Sequence, residues 1–562
     1  MRITKKFIKA YRYAGIPFPV YIIRYLLPVI ALCIAYILFL LMIIPEVFQQ
    51  ALCILFLLPV FIVILLVILW PLIIYQQRGR AIDGDMHLFV TRLGILSLAY
   101  VSRRELFNIL AEMKEYREIA EEVAKVYRLT NKWHISLPRA CRIVAEETPS
   151  ERFADFLTRM AHAVETGESA ETFAENEQTV AMEEYASRYD SALASIDVLN
   201  EVYIAIISSL MFLFVLIFLF PLMMNIAPLF IYAGAIALLF VVEGVFLLLF
   251  YLIVPKEHVW HTSGIRVKRD YILRDRLIWG ILFCIILLPV VLVVPFPYLK
   301  DAPVVLKLAI GFTPLLYPGI SFNREEEIIK RRDENYSAFI RSLGTSAAGT
   351  GKETTMALEK MRWYAFGPLT KNINDLYKRL TLRIDKLKAW KRFGAETGSD
   401  LILKFNDLYV EGSRVGGNTK TISQIISANF IKILNLRKKK YQKAEATTYL
   451  LYGVTAGITV TLFMSYVIVL LMVNLAESSE VGSIGSEIPN LPFLMISPDL
   501  LGMLEAIATI IIVIHLVFSA YITRIISSGH PAGALTHFAG QMWLAGITAT
   551  VTLFATRWLL GV

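Results

Sequence analysis

Few residues in this chain stand in patterns that could do chemistry. The segment Gly349-Thr350-Gly351-Lys352-Glu353-Thr354 has the outline of a phosphate loop. Such a loop needs a glycine, four residues and then Gly-Lys-Ser/Thr after a strand, so that backbone N–H groups cradle the phosphates and a hydroxyl holds magnesium. Here Ser346 stands at the first glycine position and Glu353 follows the lysine. A carboxylate at that point repels phosphate and displaces the metal-binding hydroxyl, so the segment reads as a glycine-rich connection between helices. The 8 histidines show no His-x-x-x-His spacing suited to a metal. No Gly-x-Ser-x-Gly elbow supports serine hydrolysis. The 4 cysteines, Cys33, Cys53, Cys141 and Cys284, form no Cys-x-x-Cys pair and indicate neither a disulfide framework nor a zinc site. No catalytic residue, cofactor or metal is therefore expected, and the chain reads as something other than an enzyme. Two ionisable residues remain inside apolar segments, Glu243 and His515. A carboxylate in that setting is costly unless it is neutral or paired. Glu243 is either a functional group or a protonated side chain hydrogen-bonded to a neighbouring helix, and the sequence leaves both open.

The elements that would position these groups are membrane helices. Mean hydropathy is +0.59 and 56% of residues are apolar, in blocks long enough to cross a bilayer, which takes about 20 residues as helix. Nine spans are expected near Tyr21–Ile44, Ala51–Ile74, Tyr203–Ala227, Leu229–Val254, Leu277–Pro295, Ala302–Ile320, Tyr449–Asn474, Leu501–Thr523 and Ala539–Thr556. The sixth is the weakest, being short and carrying Lys307. Residues Met1–Val20 hold five Lys/Arg and no acid, but no small-residue cleavage site follows the first apolar block, which argues against a cleaved signal peptide.

Charge asymmetry orients the spans. The N-terminal tail has five Lys/Arg and residues 255–276 have six, whereas residues 45–50 and 475–500 have none. This predicts a cytoplasmic N-terminus and an extracytoplasmic C-terminus, with Arg557 snorkelling to the headgroups. It also supports the sixth span. Without it, the basic runs Lys330-Arg331-Arg332 and Arg437 to Lys440 would lie outside, close to the membrane.

Two polar regions of domain size, 76–202 and 321–448, interrupt the apolar blocks and read as helical bundles. Phe153, Phe156, Leu157, Met160 and Val164 share one face of a helix, as do Leu401, Ile402, Phe405, Leu408 and Tyr409. The regions resemble each other. Phe89-Val90-Thr91-Arg92-Leu93-Gly94 matches Phe339-Ile340-Arg341-Ser342-Leu343-Gly344, and each apolar-faced helix runs into an acidic, glycine-bearing turn: Glu165, Gly167 and Glu168 in the first, Glu411 and Gly412 in the second. With spans 1 to 3 echoed by spans 5 to 7, the chain is a parallel duplication. The expected organisation is a tail with two spans (1–75), a first cytoplasmic bundle (76–202), four spans (203–320), a second bundle (321–448) and three spans (449–562). The fold class is an all-α polytopic membrane protein.

The copies differ in charge. Region 76–202 has 15 Lys/Arg and 22 Asp/Glu, a net of −7; region 321–448 has 25 and 14, a net of +11. Lys378, Arg379, Arg383, Lys386, Lys388, Lys391 and Arg392 crowd what reads as one helix. They form a solvated face attracted to anionic lipid or a docking surface for an acidic partner. Nucleic acid is disfavoured, since interleaved aromatics are missing.

Duplicated bundles ending in a Glu/Gly turn and flanked by membrane helices resemble the type II secretion F domain. The segment Glu165-Thr166-Gly167-Glu168-Ser169 is similar to that family's motif, and Glu411-Gly412-Ser413-Arg414-Val415-Gly416-Gly417 departs from it. The long chain and extra N-terminal helices resemble the archaeal platform proteins of the FlaJ type. That resemblance implies a dimeric, non-catalytic membrane core of an archaellum or type IV pilus-like machine. It also implies two partners: a hexameric secretion ATPase docked on the cytoplasmic domains, and pilin-like or archaellin subunits inserted by its action, with rotation in the archaellum. A secondary transporter built from two parallel repeats around Glu243 is the alternative.

Overall fold

The computed structural model describes residues 53–99, 102–112, 116–223, 228–293, 302–349, 354–477 and 498–560, with a few residues between 21 and 32. Among them the regular structure is helical, and the only bridge joins Trp260 to Ser399. The chain forms two compact units: Met1–Tyr185 with Glu411–Asn418, and Ala186–Val410 with Thr419–Val562.

The first unit holds α1 (Cys53–Ser97), α2 (Arg103–Ala111), α3 (Arg117–Asn131), α4 (Leu137–Glu147) and α5 (Glu151–Glu165). α6 (Ala170–Met223) begins in it and continues into the second unit. The core is made where the apolar face expected on α5 meets α1. Phe153, Phe156, Leu157 and Met160 are buried, and Phe89 of α1 meets Phe153 and Phe156 edge-on. Val164, at the end of that face, is half-buried.

The second unit adds α7 (Pro228–Ile253), α8 (Lys268–Val293), α9 (Val304–Phe312), α10 (Leu316–Gly349), α11 (Thr354–Met361), α12 (Thr370–Thr381), α13 (Lys386–Thr397), α14 (Asp400–Arg414), α15 (Thr419–Glu477), α16 (Pro498–Ser527) and α17 (Ala534–Leu560). Its polar bundle repeats the plan of the first. Phe339 of α10 is buried against Phe366 and Phe393, and all five face residues expected on α14 are buried.

Seven helices among the described residues are long and apolar enough to cross a membrane, and they contain the third to ninth expected spans. The second falls in α1, helical from Cys53 onward; most of the first lies outside the described residues. The chain is thus an all-α, multi-pass membrane protein. Phe212, Phe240, Val241, Ile285, Ile286 and Phe554 point outward, which is stable only where lipid is the solvent. The weak sixth span is a real helix. α9 passes through one 3-10 turn at Thr313–Leu315, set by Pro314, and continues as α10. Glu505 of α16 accepts the Val304 N–H at 2.7 Å, supplying the free N-terminus of α9 with a partner and a favourable negative charge. Gly311 lets the backbone of α8 come close: a Cβ there would lie 3.1 Å from Leu288 Cα, the small-residue contact typical of membrane helices.

Candidate functional site

The repeated turns show which residues of the two copies correspond. In the first copy Ser150 accepts the Phe153 N–H at 3.0 Å and starts α5; Gly167 ends it with φ +76°, and the Glu168 N–H reaches back to Ala163 O at 3.0 Å. In the second, Ser399 accepts the Ile402 N–H at 3.1 Å and starts α14; Gly416 ends it with φ +94°, and the Gly417 N–H reaches Gly412 O at 3.1 Å. Both turns are left-handed glycine caps of one pattern. This corrects the expectation that Glu411 and Gly412 form the second turn. They lie inside α14, and the counterpart of Gly167 is Gly416, four residues later. The acidic residue drew the sequence reading to the wrong register, whereas the backbone requires the glycine that takes positive φ. Glu165 sits on the surface and pairs with Arg142 at 2.6 Å. Glu411 is more enclosed and takes Arg92 Nε at 2.6 Å. Ser169 caps the next helix by accepting the Thr172 N–H at 3.0 Å.

The basic cluster also needs correction. It occupies two helices, not one. α12 stops at Thr381, Arg383 takes φ +56°, and Asp385 restarts the chain as α13 by accepting the Lys388 N–H at 2.8 Å. Lys378, Arg383, Lys386, Lys388, Lys391 and Arg392 are exposed. Arg379 is turned inward onto Glu396 at 2.5 Å, and Arg392 shares that carboxylate at 3.2 Å. Leu382 at the hairpin tip is 74% exposed, with Ile384 and Leu387 beside it. The surface is therefore basic with an apolar centre, a composition that suits protein docking better than a purely solvated face. The phosphate-loop look-alike at 350–353 lies outside the described residues. No group of three or more potential metal ligands occurs among the described residues.

Within the membrane bundle the two ionisable residues come together. His515 Nδ1 of α16 lies 2.7 Å from Glu243 Oε1 of α7. Tyr203 of α6 donates to both Glu243 oxygens, at 3.0 and 3.1 Å, and Thr455 Oγ1 of α15 lies 3.3 Å from His515 Nε2. Four helices thus meet on one satisfied polar cluster. An unpaired carboxylate there would be prohibitive, and a paired one fixes how the helices pack. Tyr203 and Thr455 are not legible as partners, because a single sequence does not couple Tyr203 to Glu243 across 40 residues or Thr455 to His515 across 60.

A second set of polar groups lies within what the sequence shows only as charge near the membrane. In the run Arg437 to Lys440, helical phase splits the side chains. Arg437 and Lys440 turn into the protein and converge on Glu257, at 3.2 and 2.9 Å, with Asp333 3.7 Å from Arg437. Lys438 and Lys439 face outward to Glu334 and Asp190. Burial pulls the Lys440 ammonium below its usual range, and Glu257 opposes that shift.

Duplicated helical bundles, each continuous with a long helix of the apolar region, define the protein as an all-α, multi-pass membrane protein. The model of that family, "Type II secretion system (T2SS), protein F", matches residues 89–218. The chain is 34% identical over 512 residues to Flagella accessory protein J of Methanocaldococcus jannaschii, covering 90% of each protein. It is 32% identical over 498 residues to the protein of the same name from Methanococcus voltae, covering 87% of this chain and 88% of that relative. The chain belongs to the flagella accessory protein J family. No solved structure matches it.

Proposed function

We propose that this chain is the non-catalytic membrane platform of an archaellum or type IV pilus-like assembly machine. In this reading a hexameric secretion ATPase docks on the second, basic bundle and drives insertion of pilin-like subunits. The observation that carries it is the hairpin of α12 and α13, where exposed cations surround exposed Leu382, Ile384 and Leu387. Complementary charge steers such a partner and an apolar centre supplies affinity. The charge asymmetry of the loops supports a cytoplasmic position for this bundle and for the N-terminus. The transporter alternative rests on the two parallel repeats and Glu243, and the hydrogen bonds of Tyr203 and His515 to that carboxylate favour a structural role for it.

The test is a pull-down of the purified ATPase by the full-length chain in detergent. Arg383→Glu, Lys386→Glu and Lys388→Glu together are expected to weaken binding at least tenfold and to leave membrane insertion intact, since all three are exposed. Arg379 is unsuited to this test because its guanidinium holds Glu396. Undiminished capture by the triple variant would place the dock elsewhere.

A further inference from the structure

A cleft of about 640 Å³ opens between the membrane-proximal ends of α8 and α10 and the side of α12. Six of its lining residues are cationic: Lys268, Arg269, Arg276, Arg324, Arg332 and Lys371. Its three carboxylates are already engaged by other cations. Glu325 holds Arg269 and Arg332, at 3.6 and 3.2 Å; Glu396 holds Arg379 and Arg392; Asp375 lies 3.7 Å from Lys378. Lys268, Arg276, Arg324 and Lys371 therefore face the cleft with no carboxylate partner among the described residues. Two further donors are buried there without a hydrogen-bond partner among the described residues: Arg332 Nε, and Arg269 Nη1, whose contact with Glu325 is only the 3.6 Å ion pair. So many uncompensated cations in one cleft repel one another unless an anion joins them.

The depth of the cleft indicates which anion. Arg276 immediately precedes the apolar span Leu277–Pro295, and Ser321 immediately follows the span Ala302–Ile320. The Arg276 guanidinium donates to Ser321 Oγ at 3.2 Å and stacks 5.6 Å from the Tyr317 ring centroid. Trp279, one turn into the bilayer, is 59% exposed, as side chains at the headgroup boundary are. The cleft thus lies at headgroup level, with exposed Ile272 at its edge and the lipid-facing side of α8 beside it. We propose that it binds the phosphodiester headgroup of an anionic lipid, held by Lys268, Arg276, Arg324 and Lys371 while the acyl chains run along α8. Arginines recognise such oxygens in pairs of hydrogen bonds, and basic clefts between membrane helices favour anionic headgroups. Because Lys371 belongs to α12, the bound lipid ties the proposed docking hairpin to the membrane surface. The lipid site itself does not depend on the docking assignment.

Lipid retention on the purified full-length chain tests this, with phosphatidylglycerol and phosphatidylcholine titrated in detergent and bound lipid counted by native mass spectrometry. Phosphatidylglycerol is expected to bind preferentially. Lys268→Ala, Arg324→Ala and Lys371→Ala together are expected to weaken it on the order of 100-fold, from the usual contribution of each surface cation. All three are exposed, so the fold should tolerate their loss. Lys132→Ala, Lys360→Ala and Lys432→Ala remove the same charge elsewhere on the exposed surface and should leave retention unchanged. Equal loss from both triple variants, or no preference in the wild type, would overturn the site. Displacement of the lipid by millimolar inorganic phosphate would also overturn it, by showing a soluble anion to be the ligand.

Discussion

The two bundles build the same cap and place it in different surroundings. In the first, Ser150 starts α5 and also donates to Asp83 of α1 at 2.5 Å. In the second, Ser399 starts α14 and hydrogen-bonds Asp333 of α10. The serines are 249 residues apart and the aspartates 250 (399 − 150 and 333 − 83), so the pair recurs at the offset of the matching Phe89 and Phe339 segments. Asp83 is half-buried, whereas Asp333 is 2% exposed with Arg437 as its nearest cation. A half-buried carboxylate keeps part of its hydration, whereas a fully buried one needs a counter-charge. Arg437, turned inward from its basic run, supplies that charge in the second copy.

The repeated glycines test how far the second copy is the more tightly packed. Gly94 and Gly344 end the matching Phe-x-x-x-Leu-Gly segments. A Cβ at Gly94 would come within 2.9 Å of the flexible end of Gln178, and its other neighbours lie near 4 Å. A Cβ at Gly344 would overlap the Ser423 side chain at 1.9 Å and meet Thr419 O, backbone of α15, at 2.6 Å. Gly344→Ala should therefore destabilise by about 3 kcal/mol, since a helix must move. Gly94→Ala should stay within about 1 kcal/mol, because the gain in helix propensity offsets a small side-chain shift. Thermal unfolding of the purified variants checks both. Equal losses would mean that the two bundles are packed alike.

Asp333 gives a pH signature. Burial raises its carboxyl to about 6, and Arg437 and Ser399 act against the rise. A folded-state pKa above the unfolded value means that the native protein holds this proton more firmly. Stability from this group is thus fully present below about pH 4 and is lost as pH rises through about 6. The loss is on the order of 3 kcal/mol. Asp333→Asn should remove that slope between pH 4 and 6, apart from any constant offset from Arg437. A variant that retains the wild-type slope in thermal unfolding would assign the titration to another group.

Much of this was legible in the sequence, and the misses have a common cause. Membrane helices are written in long apolar blocks, and the faces of α5 and α14 in helical periodicity; both signals are local. The basic cluster was legible as charge, but its break was not. Leu382–Asp385 contains no glycine or proline to mark a turn, and Arg383 takes positive φ without being a residue type that announces it. The Glu411 register failed because a side-chain pattern was followed where backbone conformation governs. The partners of Glu243, Asp333 and Lys440 are contacts over long sequence separation, which one sequence does not encode as pattern.

The smallest effect concerns the caps themselves and separates register from packing. Gly167 and Gly416 have φ of +76° and +94°, and a Cβ at either meets nothing within 4 Å. The only cost of an alanine at these positions is left-handed backbone strain, about 1 kcal/mol. The two substitutions should therefore destabilise almost equally, however differently their bundles are packed and charged. If Gly416→Ala were silent in thermal unfolding while Gly167→Ala cost the expected amount, the second helix would end elsewhere and the correspondence of the two turns would fail. Equal losses beside the unequal pair at Gly94 and Gly344 would show that duplication preserved the backbone caps and that the copies diverged in what packs around them.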